Sequence, residues 1–197
     1  MSLYSFAKSV LLPTTRAAFD VRVTGAQNVP RDGGLVVAAN HRSYLDPPLL
    51  GAWFPRTIHF MAKQELFKLF ILGPLIRAVH AFPVDRDRAD LGSIRQALRI
   101  LKGGDVVGIF PEGTRNISGE AQARGGAVLL AATAHCPIVP VALVNTQYAV
   151  RRLRASKVEV RIGEPIVLQG TQRKATKAEI EQWTADLSQN IDRLAAN

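Results

Sequence analysis

His41 and Asp46 stand five residues apart, just after the apolar run Leu35–Ala39 and Asn40. A histidine with a carboxylate partner can act as a general base. The carboxylate selects the ring tautomer and stabilises the imidazolium formed when the ring takes a proton. On an ideal helix, five residues set two side chains about 140° apart. The pair therefore meets only where a loop folds His41 back toward a helix that begins at Asp46. A plainer reading stays open: Asp46 before Pro47 is an N-cap signal, and a histidine at a strand end can simply bond a carbonyl. A second group, Phe110-Pro111-Glu112-Gly113-Thr114-Arg115, follows another apolar run, Val106–Phe110. Pro111 stops strand pairing and Gly113 permits a sharp turn, so Glu112 and Arg115 project from a loop. Arginine suits bidentate contact with phosphate, and an exposed Glu112–Arg115 ion pair is the alternative. Between the two groups lie Lys63, Glu65 and Gly73, then Phe82-Pro83-Val84-Asp85-Arg86. Arg86 is either a second phosphate ligand or an ion-pair partner of Asp85 or Asp87.

Loops at sheet ends need a sheet. Short apolar runs predict strands at Val21–Thr24, Leu35–Ala39, Thr57–Met61, Val106–Phe110, Ile138–Leu143 and Lys157–Ile162. Between them, helical patterns cover Pro47–Trp53, Gln64–Phe70, Pro74–His80 (set off by Gly73), Asp90–Leu101, Gly126–Ala134 and Lys177–Ala195. Leu91, Ile94, Leu98 and Leu101 share one face, and Lys102-Gly103-Gly104 ends that helix. Strands alternating with helices predict a single α/β domain, a largely parallel central sheet flanked by helices. Near-continuous apolar strands fit burial on both faces. Phe67, Phe70, Leu72 and Leu75 read as core, with the lining of an apolar pocket as the other use.

The chain has 197 residues and one cysteine, Cys136, which excludes an internal disulfide and a Cys/His zinc cluster. No metal or redox cofactor is implied. With 47% apolar residues the chain is not disordered. A net charge of +9 favours anionic partners: nucleic acid, a membrane surface or phosphorylated substrates. Nucleic-acid binding calls for exposed aromatics among basic residues, and 7% aromatics set mostly in apolar runs argue against it. The uncharged stretch 125–150 is long enough to span a bilayer, but Pro137 and Pro140 interrupt it. A buried helix, a turn and a buried strand account for it, so any membrane contact is peripheral. At the N-terminus, Leu3, Phe6, Val10 and Leu11 fall at helical spacing with Lys8 and Arg16 opposite. Residues 1–20 are thus expected to form an amphipathic helix, interfacial or packed on the domain, with residues 21–197 as the domain proper. Arg151, Arg152, Arg154, Lys157 and Arg161 form either a solvated face or a contact for anionic headgroups.

Taken in order and spacing, these segments resemble the 1-acylglycerol-3-phosphate acyltransferase family of glycerolipid acyltransferases. The residues that carry the likeness are NHRSYLD (Asn40 to Asp46), FPVDR (Phe82 to Arg86), FPEGTR (Phe110 to Arg115) and PIVPVAL (Pro137 to Leu143). The resemblance implies transfer of a fatty acyl group from acyl-CoA or acyl-carrier protein to a hydroxyl of a lysophospholipid. The acceptor most in keeping with it is 1-acyl-glycerol-3-phosphate, giving phosphatidate. It implies His41 as general base and Asp46 as its orienter. It also implies Glu112, Gly113 and Arg115 shaping the acceptor site with Thr114 among the substrate-binding residues, Arg115 and Arg86 holding the phosphate, and Lys63 and Arg124 as lesser candidates. It further implies a cytoplasmic protein attached peripherally to the inner face of the cell membrane. The chain departs from the family after FPEGTR: Ala123-Arg124-Gly125-Gly126-Ala127 has no aromatic and one basic residue. An acyltransferase with another lipid or glycolipid acceptor is therefore the second reading, and a non-catalytic lipid-binding protein the third. The lack of a Gly-x-Ser-x-Gly elbow argues against a fourth reading, a thioesterase or serine esterase.

Overall fold

In the computed structural model, residues 3–70, 72–85, 90–113, 123–152, 157–168, 173 and 175–196 are described. Among them, seven strands form one sheet: β1 (Asp20–Thr24), β2 (Leu35–Ala39), β3 (Ile58–Lys63), β4 (Phe82–Val84), β5 (Val106–Ile109), β6 (Ile138–Val144) and β7 (Lys157–Ile162). Their order across the sheet is β1-β7-β6-β2-β5-β3-β4. Every neighbouring pair is parallel except β6 with β7. The helices are α1 (Leu3–Ala18), α2 (Asp46–Trp53), α3 (Leu72–Ala78), α4 (Leu91–Lys102), α5 (Gly126–Ala134), α6 (Thr146–Arg152) and α7 (Lys177–Ala196).

The central strand β2 explains the layering. All five of its residues are buried. Leu35, Val37 and Ala39 pack on one side with Leu50 and Phe54 at the α2 end. Val36 and Ala38 pack on the other with residues of α4, α5 and α7. A strand covered on both faces needs apolar residues throughout, which is why the run shows no alternation. On the first side, α1 is tied to α2: Trp53 Nε1 donates to Thr15 Oγ1 at 3.0 Å, and Lys8 Nζ donates to the Phe54 carbonyl at 2.9 Å.

All six predicted strands are present, and the structure adds β4. Pro83 argues against a strand, but β4 lies at the sheet edge, where a missing N–H costs no ladder bond. The predicted helix Gln64–Phe70 is instead a 3-10 turn over Gln64–Lys68. Gly73 does not separate two helices; it sits inside α3, where a Cβ would come 2.4 Å from the Phe67 carbonyl oxygen. Its role is close approach, not chain breaking. The basic stretch after β6 begins as helix α6, entered through Asn145 in the left-handed region. Arg154 and the side chains of Leu72, Leu75, Arg151 and Arg152 lie outside the described residues. No helix among the described residues is long and apolar enough to cross a membrane.

At the N-terminal edge of the parallel strands, the His59 ring lies 5.0 Å from that of His80. Burial and a charge on His80 push His59 below the ordinary histidine range, while Asp105 opposes them. The folded protein thus favours neutral His59. The stability this contributes is full above the unfolded histidine pKa of about 6.5 and is lost as pH falls. Melting temperatures should drop on acidification, and His59→Gln should shrink that drop; an identical pH dependence in the variant would rule this account out.

Candidate active site

Parallel strands β2, β5 and β3 release their chains at one edge of the sheet, the usual place for sites in such folds. Ala38 pairs with Ile109 in the β2–β5 ladder. The register therefore carries His41 and Glu112 to the same level past the strand ends. The His41 N–H donates to Glu112 Oε2 at 3.2 Å, joining the two loops.

The loop from Asn40 to Asp46 turns back on itself. His41 Nδ1 lies 2.9 Å from Asp46 Oδ2. The same oxygen accepts the N–H groups of Arg42 at 2.6 Å and Ser43 at 2.7 Å. Those amides can only donate, so Oδ2 is an acceptor, and Nδ1 carries the proton that points at it. The Nε2 lone pair is then left to accept a proton from elsewhere. Asp46 is wholly buried and the His41 side chain is 14% exposed.

Asp46 does not cap α2, against the N-cap reading of Asp-Pro: no side-chain cap bond forms there. The reason lies in the next two residues. Pro47 and Pro48 have no N–H, so the first turn offers few donors to a cap. The Asp46 N–H itself donates to Ser43 O at 3.2 Å, and Leu49 N–H to Leu45 O at 2.9 Å. The carboxylate is left to gather the loop instead.

The His41 ring stacks on Phe110, centroids 4.3 Å apart, and Phe110 stacks in turn on Phe60 at 6.0 Å. Gly108 makes the room: a Cβ there would fall 2.5 Å from Ile58 and 2.8 Å from the Phe60 ring. A small residue one strand away thus sets where the His41 ring rests.

Asn40 was legible only as part of a motif; its task appears in the structure. Its Nδ2 donates to the Leu143 carbonyl at 3.0 Å, and Leu143 N–H donates to its Oδ1 at 2.7 Å. The side-chain amide continues the β2–β6 ladder beyond its last pair, Ala39 with Val141. It anchors the point at which the chain leaves β2 for His41. Asn40→Ala leaves both buried groups of Leu143 unpaired, an expected cost of about 2 kcal/mol. Urea unfolding checks this, and an unchanged midpoint would show that Asn40 anchors nothing.

The second loop is pinned as well. Gly113, in the left-handed region at φ 70°, donates its N–H to Phe110 O at 2.9 Å. Arg124 N–H donates to Pro111 O at 2.9 Å. The exposed Arg124 side chain runs alongside Gly113. Lys63 ends β3 on the same edge, with Nζ 3.6 Å from Glu65 Oε1 in an exposed pair worth little. The structure thus brings His41, Asp46, Glu112 and Gly113 together and sets Lys63 and Arg124 at the same edge. Arg86, Thr114 and Arg115 lie outside the described residues. A cleft on the α7 side of this edge is lined by Asn40, Pro111, Glu112, Thr184 and Ser188, without His41. It reaches the backs of the loops rather than the His41 ring.

Such an arrangement can deprotonate a hydroxyl brought to Nε2. The single cysteine offers no nucleophile in its place, since burial pushes the Cys136 thiol up to about 11. Among the described residues, no group of three or more histidine, cysteine, aspartate or glutamate side chains is placed to hold a metal ion.

Comparison with known proteins gives the same picture. The family model described as Acyltransferase matches residues 20–144. The chain is 34% identical over 193 residues to the 1-acyl-sn-glycerol-3-phosphate acyltransferase of Bacillus subtilis (strain 168), covering 98% of this chain and 96% of that protein. It is 33% identical over 138 residues to the protein of the same name from Streptococcus pneumoniae, covering 69% of this chain and 51% of that one. The crystal structure of the 1-acyl-sn-glycerophosphate (LPA) acyltransferase PlsC from Thermotoga maritima matches with a TM-score of 0.73 and 26% identity, covering 98% of this chain and 81% of that chain.

Proposed function

Because this chain belongs to the acyltransferase family, we propose that it moves a fatty acyl group from a thioester donor to the free hydroxyl of 1-acyl-glycerol-3-phosphate, forming phosphatidate. The observation that carries the mechanism is the bond between His41 Nδ1 and Asp46, which leaves Nε2 as the base. The acceptor hydroxyl gives its proton to Nε2 as its oxygen attacks the thioester carbonyl. The tetrahedral intermediate collapses, the carbon–sulfur bond breaks, and the imidazolium returns the proton to the departing thiolate. The products are the new ester and the free thiol of coenzyme A or carrier protein, and no acyl-enzyme forms. Glu112 holds the His41 backbone and, with Gly113 and Thr114, shapes the acceptor site. Lys63, Arg124, Arg86 and Arg115 supply positive charge for the acceptor phosphate. The protein works at the inner face of the cell membrane through peripheral contact, to which helix α1 and the +9 charge contribute.

The test is an acyl-transfer assay with radiolabelled lysophosphatidate and panels of acyl-CoA and acyl-carrier-protein donors. Phosphatidate formed by the native protein, and by His41→Ala at a rate lower by at least about 10²-fold, is the expected result. A folded native protein that acylates a different lysolipid or a glycolipid instead, with His41 still required, would replace the acceptor and keep the mechanism.

A further inference from the structure

Leu69 and Phe70 are apolar, yet they face solvent. Phe70 is 94% exposed and Leu69 51%, against the sequence reading of Phe70 as core. The exposure is built rather than incidental. Phe67, three residues before Phe70, is buried, with the Arg77 guanidinium 5.3 Å from its ring centroid. Gly73 closes on the Phe67 carbonyl and donates its N–H to Leu69 O at 2.8 Å. The chain is thus gripped on both sides of the tip and pushes its two apolar residues outward.

The tip follows β3, parallel to β5, so it emerges at the sheet edge that carries His41 and Glu112. Tyr44, in the loop between His41 and Asp46, is 73% exposed at that same edge. Exposed basic residues neighbour these apolar groups in the chain: Lys68 next to the tip, Lys63 before it in its pair with Glu65, and Arg42 beside His41. Apolar and aromatic groups projecting among cations match a bilayer with anionic headgroups, where side chains enter the acyl boundary while lysine and arginine stay at the phosphates. We infer that Leu69 and Phe70 insert into an anionic bilayer and hold the His41 loop against the lipid surface. A protruding tip suits insertion into lipid better than docking to a folded protein, which calls for a complementary surface. The inference rests on the acyl-transfer reading only in taking the acceptor to be a membrane lipid.

The experiment measures partition of the full chain onto vesicles of phosphatidylcholine with phosphatidylglycerol, compared with phosphatidylcholine alone. Leu69→Ser/Phe70→Ser should weaken binding to the anionic vesicles about tenfold or more. It should leave the melting temperature unchanged, because both side chains face solvent. Acylation of a short-chain, water-dispersed lysophosphatidate should also stay within about twofold, as neither residue touches the dyad. Lys68→Glu should weaken binding only where phosphatidylglycerol is present. In Phe70→Trp, the fluorescence of the introduced indole should shift to the blue on the anionic vesicles. Unchanged partition of the double variant, or no blue shift from that indole, overturns the inference. Unchanged partition with a fall in kcat/KM for a carrier-protein donor reassigns the tip to that protein. Because partition is read without turnover, a protein inactive on lysophosphatidate still tests the docking face.

Discussion

His41→Ala lowers the rate of acyl transfer by about 10²- to 10⁴-fold, or about 3–5 kcal/mol of transition-state stabilisation. The loss falls on kcat, since the ring acts only when the acceptor gives up its proton. The fold survives. Asp46 Oδ2 keeps the amides of Arg42 and Ser43, so its charge is not abandoned in the interior. What disappears is one ring face against Phe110 and one hydrogen bond. The substitution leaves room beside Phe110, so added imidazole should restore part of the rate. Circular dichroism and thermal unfolding separate lost chemistry from lost structure. A folded variant with activity within about tenfold of native would show that His41 is not the base.

Asp46→Asn produces the second large effect, and it reaches both activity and stability. The carboxamide has two placements and neither works. With its oxygen toward the loop, its NH2 takes the place of Oδ1, a buried atom with no hydrogen-bond partner among the described residues. Two donors are then buried unpaired. With its NH2 toward the loop, donors face the N–H groups of Arg42 and Ser43 and lose both bonds. Either way the expected destabilisation is about 1–3 kcal/mol. The flipped amide would also face His41 Nδ1 with a donor, which moves the ring proton to Nε2 and removes the base. A fall in kcat of at least about 10²-fold is expected. Native-like kcat with an unchanged melting temperature would mean that Asp46 neither orients the ring nor holds the loop.

Much of the scaffold was legible from residue types alone. Short apolar runs marked six strands because buried strands exclude charge, and alternation with helical patterns pointed to a parallel sheet. The residues able to do chemistry also stood out, since histidine, carboxylate, proline and glycine cluster where strands end. Legibility failed where an outcome depended on a partner distant in sequence. β4 escaped because the tolerance for Pro83 comes from its edge position, a property of the whole sheet. Phe70 passed for core because side-chain type reports a preference for burial, not its fulfilment. The N-cap signal at Asp46 was real as chemistry, but the amides it found were those of the preceding loop.

The sequence by itself determined the α/β class, the strands and the identities of His41, Asp46, Glu112 and Gly113, because each follows from local pattern and intrinsic chemistry. The tertiary structure decided which of them meet. The β2–β5 register brings Glu112 to His41 across 71 positions of chain. Asn40 reaches Leu143 across 103. Gly108 clears the space in which Phe60, Phe110 and His41 stack. Local periodicity specifies the face that an element buries, whereas the geometry of the site arises from long-range pairing and close packing, where a single added carbon at Gly108 would displace the stack that supports the His41 ring.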